Sequence, residues 1–130
     1  MYFVLIAATI IGSAGPAIQT IDGDTIEIDS ERIRIANIDA PEIRHAKCDA
    51  ERRLGLVAKR RVIGLMDSGE VVVLRGDPDT GRIKDRYGRT LATISVGGRD
   101  VGAVLVEEGL ARPWGGRREP WCDSLTNRKN

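Results

Sequence analysis

Two alternating runs between positions 25 and 35 constrain the fold more than any other feature of this chain. In both runs isoleucine alternates with charged residues: Ile26, Ile28, Ile33 and Ile35 with Glu27, Asp29, Arg32 and Arg34. A period of two is typical of strands that bury one face. The residues "DSE" (29–31) suit a hairpin loop between the runs. Pro41 cannot donate to a ladder, so the second strand ends there.

The stretch from Cys48 to Gly69 changes to a helical period. Its apolar residues fall on one helical face: Leu54, Ala58, Val62 and Leu65, with Met66 beside them. Asp49 is a candidate N-cap, and Gly69 is a candidate stop at the other end. We therefore predict an amphipathic helix between these two residues.

Shorter elements follow this helix. They are a strand, a turn, a strand with a hairpin signal, and a helix: "EVVVLRG" (70–76), "GDPDTG" (76–81), "RTLATISVGG" (89–98) and "DVGAVLVEEG" (100–109). Asp100 is a candidate N-cap for the last helix, and Gly109 is its candidate stop. The tail "RPWGGRREPWC" (112–122) is irregular and rich in Arg and Trp.

The stretch "AIQTIDGDTIEIDSERIRIANI" (17–38) is typical of strands throughout, so a third strand joins the two alternating runs. The element order is strand, strand, strand, helix, strand, strand, helix, without the regular strand–helix alternation of a parallel sheet. This order predicts an α+β fold. A small barrel, closed or partly open, removes exposed sheet edges, and the five-stranded oligonucleotide-binding (OB) fold fits the strand count. We expect a five-stranded OB-fold-type β-barrel with two or three flanking helices. A single domain over residues 15–130 suits a chain of 130 residues.

Residues 1–14 form a separate apolar segment ahead of this domain. The segment is apolar from Tyr2 to Ile11, which is too short to span a bilayer. Two interpretations stay open: the apolar region of a secretory signal that lacks preceding basic residues, or an additional buried strand. The first predicts a secreted, periplasmic or membrane-anchored protein, and the second leaves a cytoplasmic location open.

The chain has two cysteines, Cys48 and Cys122, and one histidine. This set argues against a zinc site, because no CxxC spacing is present. Either both thiols are free, or they pair in an oxidising compartment. The even count, the signal-like segment and the short C-terminal tail favour a disulfide, which we predict.

Charge is distributed unevenly, although the net charge is only +1. Residues 1–42 carry two basic and seven acidic groups, whereas residues 43–130 carry 18 basic and 12 acidic groups. An acidic cluster beside a basic region can hold a cation next to a polyanion. The alternative is two solvated faces, and the charge distribution alone leaves both open.

Three fragments carry the chemistry of this sequence: "IDGDTI" (21–26), "RIANIDAPE" (34–42) and "DRYGR" (85–89). Carboxylates bind hard cations such as Ca²⁺, guanidinium groups fork onto phosphate oxygens, and a further carboxylate can act as a base toward water. In this order, with a helix between the second and third, the fragments resemble the staphylococcal-nuclease-like (thermonuclease) family. The resemblance runs from about residue 17 to 114, and more loosely to Cys122.

The resemblance implies roles for the acidic residues. Asp24 and Asp39 match the family's Ca²⁺ ligands, and Ala40 matches a residue that ligates through its backbone carbonyl. The family's type protein has Thr at the Ala40 position, but a carbonyl ligand does not need that side chain. Glu42 matches the general base.

The resemblance also implies roles for basic and aromatic residues. Arg34 and Arg89 match the arginines that contact the scissile phosphate, and Arg86 and Tyr87 match residues that contact the nucleotide's other phosphate. The type protein covers the base with tyrosines, which are absent from "RPWGG" here, so Trp114 is the candidate for stacking.

From this resemblance we expect a Ca²⁺-dependent nuclease that acts on DNA and also RNA as a monomer, leaving 5′-hydroxyl and 3′-phosphate ends. The alternative is a non-catalytic nucleic-acid-binding module on the same barrel, because the fold does not fix the function. Binding-only relatives typically lack the full charged set, which is complete here and favours the enzyme. Outside the motifs, His45 is interpreted as a loop residue, Asp22 as a turn residue and Trp121 as a packing anchor.

Overall fold

Residues 15–126 are described by a computed structural model, without the side chains of Ser124 and Thr126. The apolar segment predicted over residues 1–14 lies outside the described residues. In chain order the elements are β1 (Ile18–Asp22), β2 (Thr25–Ile28), β3 (Glu31–Ile35), β4 (Ile38–Asp39), α1 (Asp49–Met66), β5 (Val71–Arg75), β6 (Thr90–Val96), β7 (Arg99–Asp100), α2 (Val101–Glu107), β8 (Arg112–Pro113) and α3 (Cys122–Thr126). The α+β class is confirmed.

The main sheet has the strand order β1-β2-β3-β6-β5, with β7 pairing on β6. Neighbours are antiparallel except for β3 and β6, which are parallel. The prediction of five main strands holds, but the closed form of the barrel does not. Within residues 15–126, β1 and β5 form no ladder with each other, so the sheet is open.

The hairpin between β2 and β3 is as tight as the alternation suggests. Ile28 pairs with Glu31, which leaves only Asp29 and Ser30 in the turn. Both turn residues have positive φ (47° and 72°), the backbone of a two-residue turn that follows the strand twist. The loop is therefore one residue shorter than predicted, and Glu31 belongs to β3.

The core lies between the inner face of the sheet and the two longer helices. Its fully buried side chains are mainly aliphatic: Ile26, Ile33, Ile35, Ile94, Val62 and Leu105 among them. Helix α1 buries the predicted face, including Ala58, Val62 and Leu65. Its ends differ slightly from the prediction, because the N-cap is Cys48 and the C-cap is Asp67.

The second helix follows its predicted signals closely. The Asp100 side chain caps α2 by accepting a hydrogen bond from the Ala103 amide at 2.7 Å. Gly109, which follows the helix end, has a φ of +75°, so its position favours glycine. No helix within residues 15–126 is both long and apolar enough to cross a membrane.

The tail is more ordered than the irregular segment that the sequence suggests. Strand β8 pairs antiparallel with β4, so that Asp39 faces Arg112 across the ladder. Helix α3 begins at Cys122, which forms a disulfide with Cys48, and the predicted pair is confirmed. The tail is thus attached both to the strand that carries Asp39 and to the start of α1.

Candidate active site

The predicted acidic residues and Arg34 meet where the β1–β2 turn, the end of β3 and β4 converge. Asp24 lies in the β1–β2 turn, Arg34 in β3 and Asp39 in β4, and Ala40 and Glu42 follow β4 directly. Arg86, Tyr87 and Arg89 lie together in the loop before β6. The structure therefore places the predicted residues in an acidic cluster and a basic loop.

Close backbone packing holds the acidic cluster together. A Cβ atom on Gly23 would lie 2.8 Å from the Ala40 Cβ, and one on Gly55 would lie 2.8 Å from the Glu42 carbonyl oxygen. Neither distance is tolerable, so glycine at both positions lets the β1–β2 turn and α1 approach the segment after β4.

Asp24 is a buried anion with several partners. It is 6% exposed, and its Oδ2 accepts a hydrogen bond from the Ala40 amide at 2.9 Å. The same oxygen lies 3.8 Å from Arg34 Nη2, and Oδ1 accepts a hydrogen bond from the Thr25 hydroxyl. Burial alone would raise the pKa of Asp24, but the Arg34 charge and these hydrogen bonds hold it below its usual value.

Asp22 adds a further carboxylate to the cluster. The Asp24 amide donates to Asp22 Oδ1 at 3.3 Å, and the two carboxyl groups are close enough to interact. Burial and the neighbouring charge of Asp24 raise the pKa of Asp22 to about 7. The interpretation of Asp22 as a turn residue is one position off, because Asp22 is the last residue of β1, and it does not include the electrostatic coupling to Asp24.

Arg34 is buried at the end of β3 and held by backbone carbonyls. Its Nη1 donates to the Ile38 carbonyl at 2.7 Å and also to the Ile35 carbonyl. The guanidinium lies over the Trp114 ring, 5.4 Å from its centroid. This fixes the orientation of Arg34 between Asp24 on one side and the aromatic ring on the other.

Asp39 is deeply buried, with 3% exposure. The Trp121 indole N–H donates to Oδ2 at 3.3 Å, and Arg118 Nη2 lies 3.3 Å from Oδ1. Among the described residues no group makes a hydrogen bond of good geometry to Oδ1. Burial raises the pKa of Asp39 above its usual value, although the Arg118 charge opposes this.

Glu42 is held by its backbone and paired through its side chain. The Glu42 amide donates to Oε2 of the buried Glu51 carboxylate at 2.9 Å. The Oε1 atom of Glu51 accepts a hydrogen bond from the Lys47 amide at 2.9 Å. The Glu42 carboxylate itself lies 2.9 Å from Arg118 Nη1. His45 lies exposed in the intervening loop, as interpreted from the sequence.

Glu51, Arg118 and Trp121 are site residues that sequence reasoning missed or assigned elsewhere. Glu51 reads as one more charge in the first turn of a helix, and Arg118 as one of several arginines in the tail. Trp121 is indeed a packing anchor, being 6% exposed, but its N–H also binds a site carboxylate. The adjacent Cys122 was the one signal that this part of the tail is fixed in place.

The basic loop borders a groove of about 460 Å³ next to the acidic cluster. Asp85 orients Arg89 by accepting from its Nε at 2.7 Å. Arg86 and Arg89 both lie over the ring of Tyr87, which is 69% exposed. The groove is also lined by Arg34, Trp114, Arg117 and Arg118. Its walls therefore offer fixed positive charge and aromatic surface, the properties that bind a phosphate chain with unpaired bases.

The acidic residues suit a hard cation by chemical type but do not form a complete set of side-chain ligands. Within residues 15–126, no group of three or more His, Cys, Asp or Glu is arranged to hold a metal ion. Asp24 and Asp39 are oxygen donors, and the buried Asp39 Oδ1 lacks a hydrogen bond. Ca²⁺ accepts backbone carbonyls, waters and substrate oxygens as its remaining ligands. The donor set therefore fits Ca²⁺ in part.

Comparison with known proteins gives a family match. Residues 32–123 match the model of the family described as staphylococcal nuclease homologue. Protein ParB of Escherichia coli is 36% identical over 110 residues, which cover 75% of this chain and 55% of that protein. Endonuclease YncB of Bacillus subtilis is 35% identical over 98 residues, covering 72% of this chain and 44% of that protein. Micrococcal nuclease of Shigella flexneri is 34% identical over 110 residues, covering 75% and 56%. The chain thus spans about half the length of these relatives.

Proposed function

This chain belongs to the staphylococcal nuclease family, and from that premise we propose that it is a Ca²⁺-dependent nuclease that hydrolyses DNA and also RNA, leaving 3′-phosphate ends. One observation carries the proposal: the fold brings Asp24, Arg34, Asp39 and Glu42 into one cluster beside a groove that Arg89 lines. Two of the relatives described above are named as nucleases.

The two arginines supply the phosphate-binding part of the mechanism. Arg34 and Arg89 both line the groove, and each is held in place, by carbonyl oxygens or by Asp85. Guanidinium groups stay protonated and can each bind two phosphate oxygens. Because they are oriented before the substrate arrives, they stabilise the extra negative charge of the transition state without rearranging.

Glu42 is the proposed base, which takes a proton from the attacking water. The Glu51 side chain holds the Glu42 backbone in place, so the Glu42 carboxylate is attached at a fixed position near Asp24 and Asp39. Asp24, Asp39 and the Ala40 carbonyl would hold Ca²⁺, which supplies positive charge toward the phosphate when bound. Arg86, Tyr87 and Trp114 would contact the rest of the nucleotide from the groove walls.

The disulfide between Cys48 and Cys122 supports a further proposal on location. Disulfides persist in oxidising compartments and are rare in the cytosol. We therefore propose that the protein works outside the cytoplasm, as a secreted, periplasmic or membrane-anchored form.

The test compares cleavage with binding in two variants. Glu42→Gln and Arg89→Ala should each lower single-turnover cleavage of DNA by about 10² to 10³, the loss expected for one transition-state group. Their Ca²⁺-supported affinity for an uncleavable oligonucleotide should fall far less, because binding rests on many dispersed basic groups. Arg32→Ala is the matched control, since Arg32 pairs with Glu27 on the surface and lies outside the groove.

Metal dependence is measured in the same assay. After chelation and dialysis, Ca²⁺ should restore cleavage and Mg²⁺ should restore little, because Mg²⁺ demands a near-octahedral shell that this donor set does not provide. If the wild-type protein shows no metal-dependent cleavage, or if both variants cleave at the wild-type rate, the enzyme proposal fails. The alternative of a non-catalytic nucleic-acid-binding module then takes its place.

A further inference from the structure

Arg118 connects the acidic cluster to the groove. Its guanidinium spans two carboxylates of the cluster, 3.3 Å from Asp39 Oδ1 and 2.9 Å from Glu42 Oε1. The same side chain lines the groove and is 45% exposed. It lies outside the three sequence fragments that carry the family resemblance.

The tail holds Arg118 in this place through contacts on either side of it. Before it in the chain, β8 pairs with β4. After it, Trp121 donates to Asp39, the Arg112 guanidinium stacks 3.7 Å from the centre of the Trp121 ring, and Cys122 is bonded to Cys48. Its neighbour Arg117 differs, because that side chain is 82% exposed and pairs with Glu119 two residues away.

The charge balance explains why a cation is needed at this point. Arg34 is the cation beside Asp24, but its described hydrogen bonds go to backbone carbonyls, and Asp39 has a separate partner in Arg118. A buried carboxylate without a nearby cation is costly. Yet the oxygens that Arg118 covers on Asp39 and Glu42 are those that a metal ion and a water molecule would need.

We propose that Arg118 is an internal counter-ion of the acidic site, which pairs with both Asp39 and Glu42 in the resting protein and must leave Asp39 before a divalent cation binds there. This inference rests on the proposed metal-dependent function. Because Arg118 also lines the groove, the released guanidinium could pair there with a phosphate of the substrate. Arg118 is thus a positioning residue that couples cation binding to the arrival of nucleic acid.

The experiment measures Ca²⁺ binding by calorimetry on the full chain without nucleic acid. Arg118→Gln should bind Ca²⁺ about tenfold more tightly than the wild type, the order of effect of removing one unit charge next to a half-exposed site. Arg118→Lys keeps the charge and should bind close to the wild-type affinity. Arg117→Gln removes the same charge one residue away, and its affinity should be unchanged.

Thermal unfolding supplies a second measurement. Without Ca²⁺, Arg118→Gln should melt below the wild type, because its carboxylates repel one another. Its rise in Tm on adding Ca²⁺ should be larger than that of the wild type, since tighter binding to the native state stabilises it more. A merely structural role for Arg118 would not tighten metal binding.

The outcomes separate this inference from the proposed function. If the wild type binds Ca²⁺ and Arg118→Gln binds it equally or more weakly, the counter-ion role is overturned and the nuclease proposal is unaffected. The same holds if Arg117→Gln shows the same gain. If neither the wild type nor Arg118→Gln binds Ca²⁺, the proposed metal dependence fails and the inference fails with it.

Discussion

Removing the disulfide should cost this protein a large part of its stability. Cys48 precedes α1 and Cys122 begins α3, and their Cα atoms lie 6.1 Å apart. The perturbation is the double variant Cys48→Ser/Cys122→Ser, which leaves no unpaired thiol behind. Reduction of the wild type breaks the same bond without changing the composition.

The magnitude follows from the length of chain that the bond closes. The two residues are separated by 74 positions. In the chain-entropy model a cross-link across a loop of this length removes denatured-state entropy equivalent to about 4.4 kcal/mol at 25 °C. Small domains are stable by about 5 to 15 kcal/mol in total, so this one bond accounts for a substantial fraction.

The assay is equilibrium unfolding in urea, followed by circular dichroism. We expect the free energy of unfolding of the double variant to be lower than that of the oxidised wild type by about 3 to 4 kcal/mol, slightly below the model value because denatured chains retain some structure. The reduced wild type should match the double variant. Reductant should leave the double variant itself unchanged, which is the control for nonspecific effects.

Two results would refute this reasoning. One is a loss of less than about 1 kcal/mol in the free energy of unfolding. It would mean that the bond, which joins residues 74 positions apart, does not stabilise the protein by lowering the entropy of the denatured chain. The other is the titration of two free thiols on denatured, non-reduced protein recovered from its native compartment, which would mean that the pair does not form there.

Two further predictions concern the carboxylates of Glu51, which is buried, and of Glu31, which pairs with Arg75. Glu51→Gln should lower stability by roughly 1.5 to 3 kcal/mol in urea unfolding, because one amide oxygen replaces two charged acceptors for the Glu42 and Lys47 amides, and an unchanged midpoint would contradict this. Hydrogen bonds from Arg75 hold the pKa of Glu31 at about 2, against a usual 4.5, so its ionised form stabilises the fold above pH 4.5 and this contribution is lost as pH falls toward 2. Glu31→Gln should flatten stability against pH in that window, and equal slopes for variant and wild type would contradict the assignment.

Much of the fold could be predicted because its signals are local. The β2–β3 hairpin follows from alternation around Asp29 and Ser30, and α2 follows from its Asp100 cap and Gly109. Alternation and caps depend on neighbours within a few residues, which the sequence displays directly. Closure of the sheet depends instead on how far strands twist and on which distant strands meet, and here the expected barrel stays open between β1 and β5.

The cluster of Asp24, Arg34 and Asp39 could be expected for a related reason. These residues lie on consecutive strands and turns, so short connections bring them together. The contacts of the tail are different, because Trp121 meets Asp39 across 82 positions. No local period or cap reports a contact of that range, and the family resemblance becomes loose over the same segment.

The balance of buried charges can indicate such distant residues, whereas local sequence patterns cannot. The fold buries Asp24 and Asp39 almost completely, and a buried carboxylate needs a cation or several donors. Arg34 is the cation beside Asp24, while its hydrogen bonds go to backbone carbonyls, so a second cation had to come from elsewhere in the chain. The structure supplies Arg118 from the tail. A motif that buries more acids than bases therefore favours a compensating cation outside the motif, and our proposal is that this cation leaves when a metal ion binds.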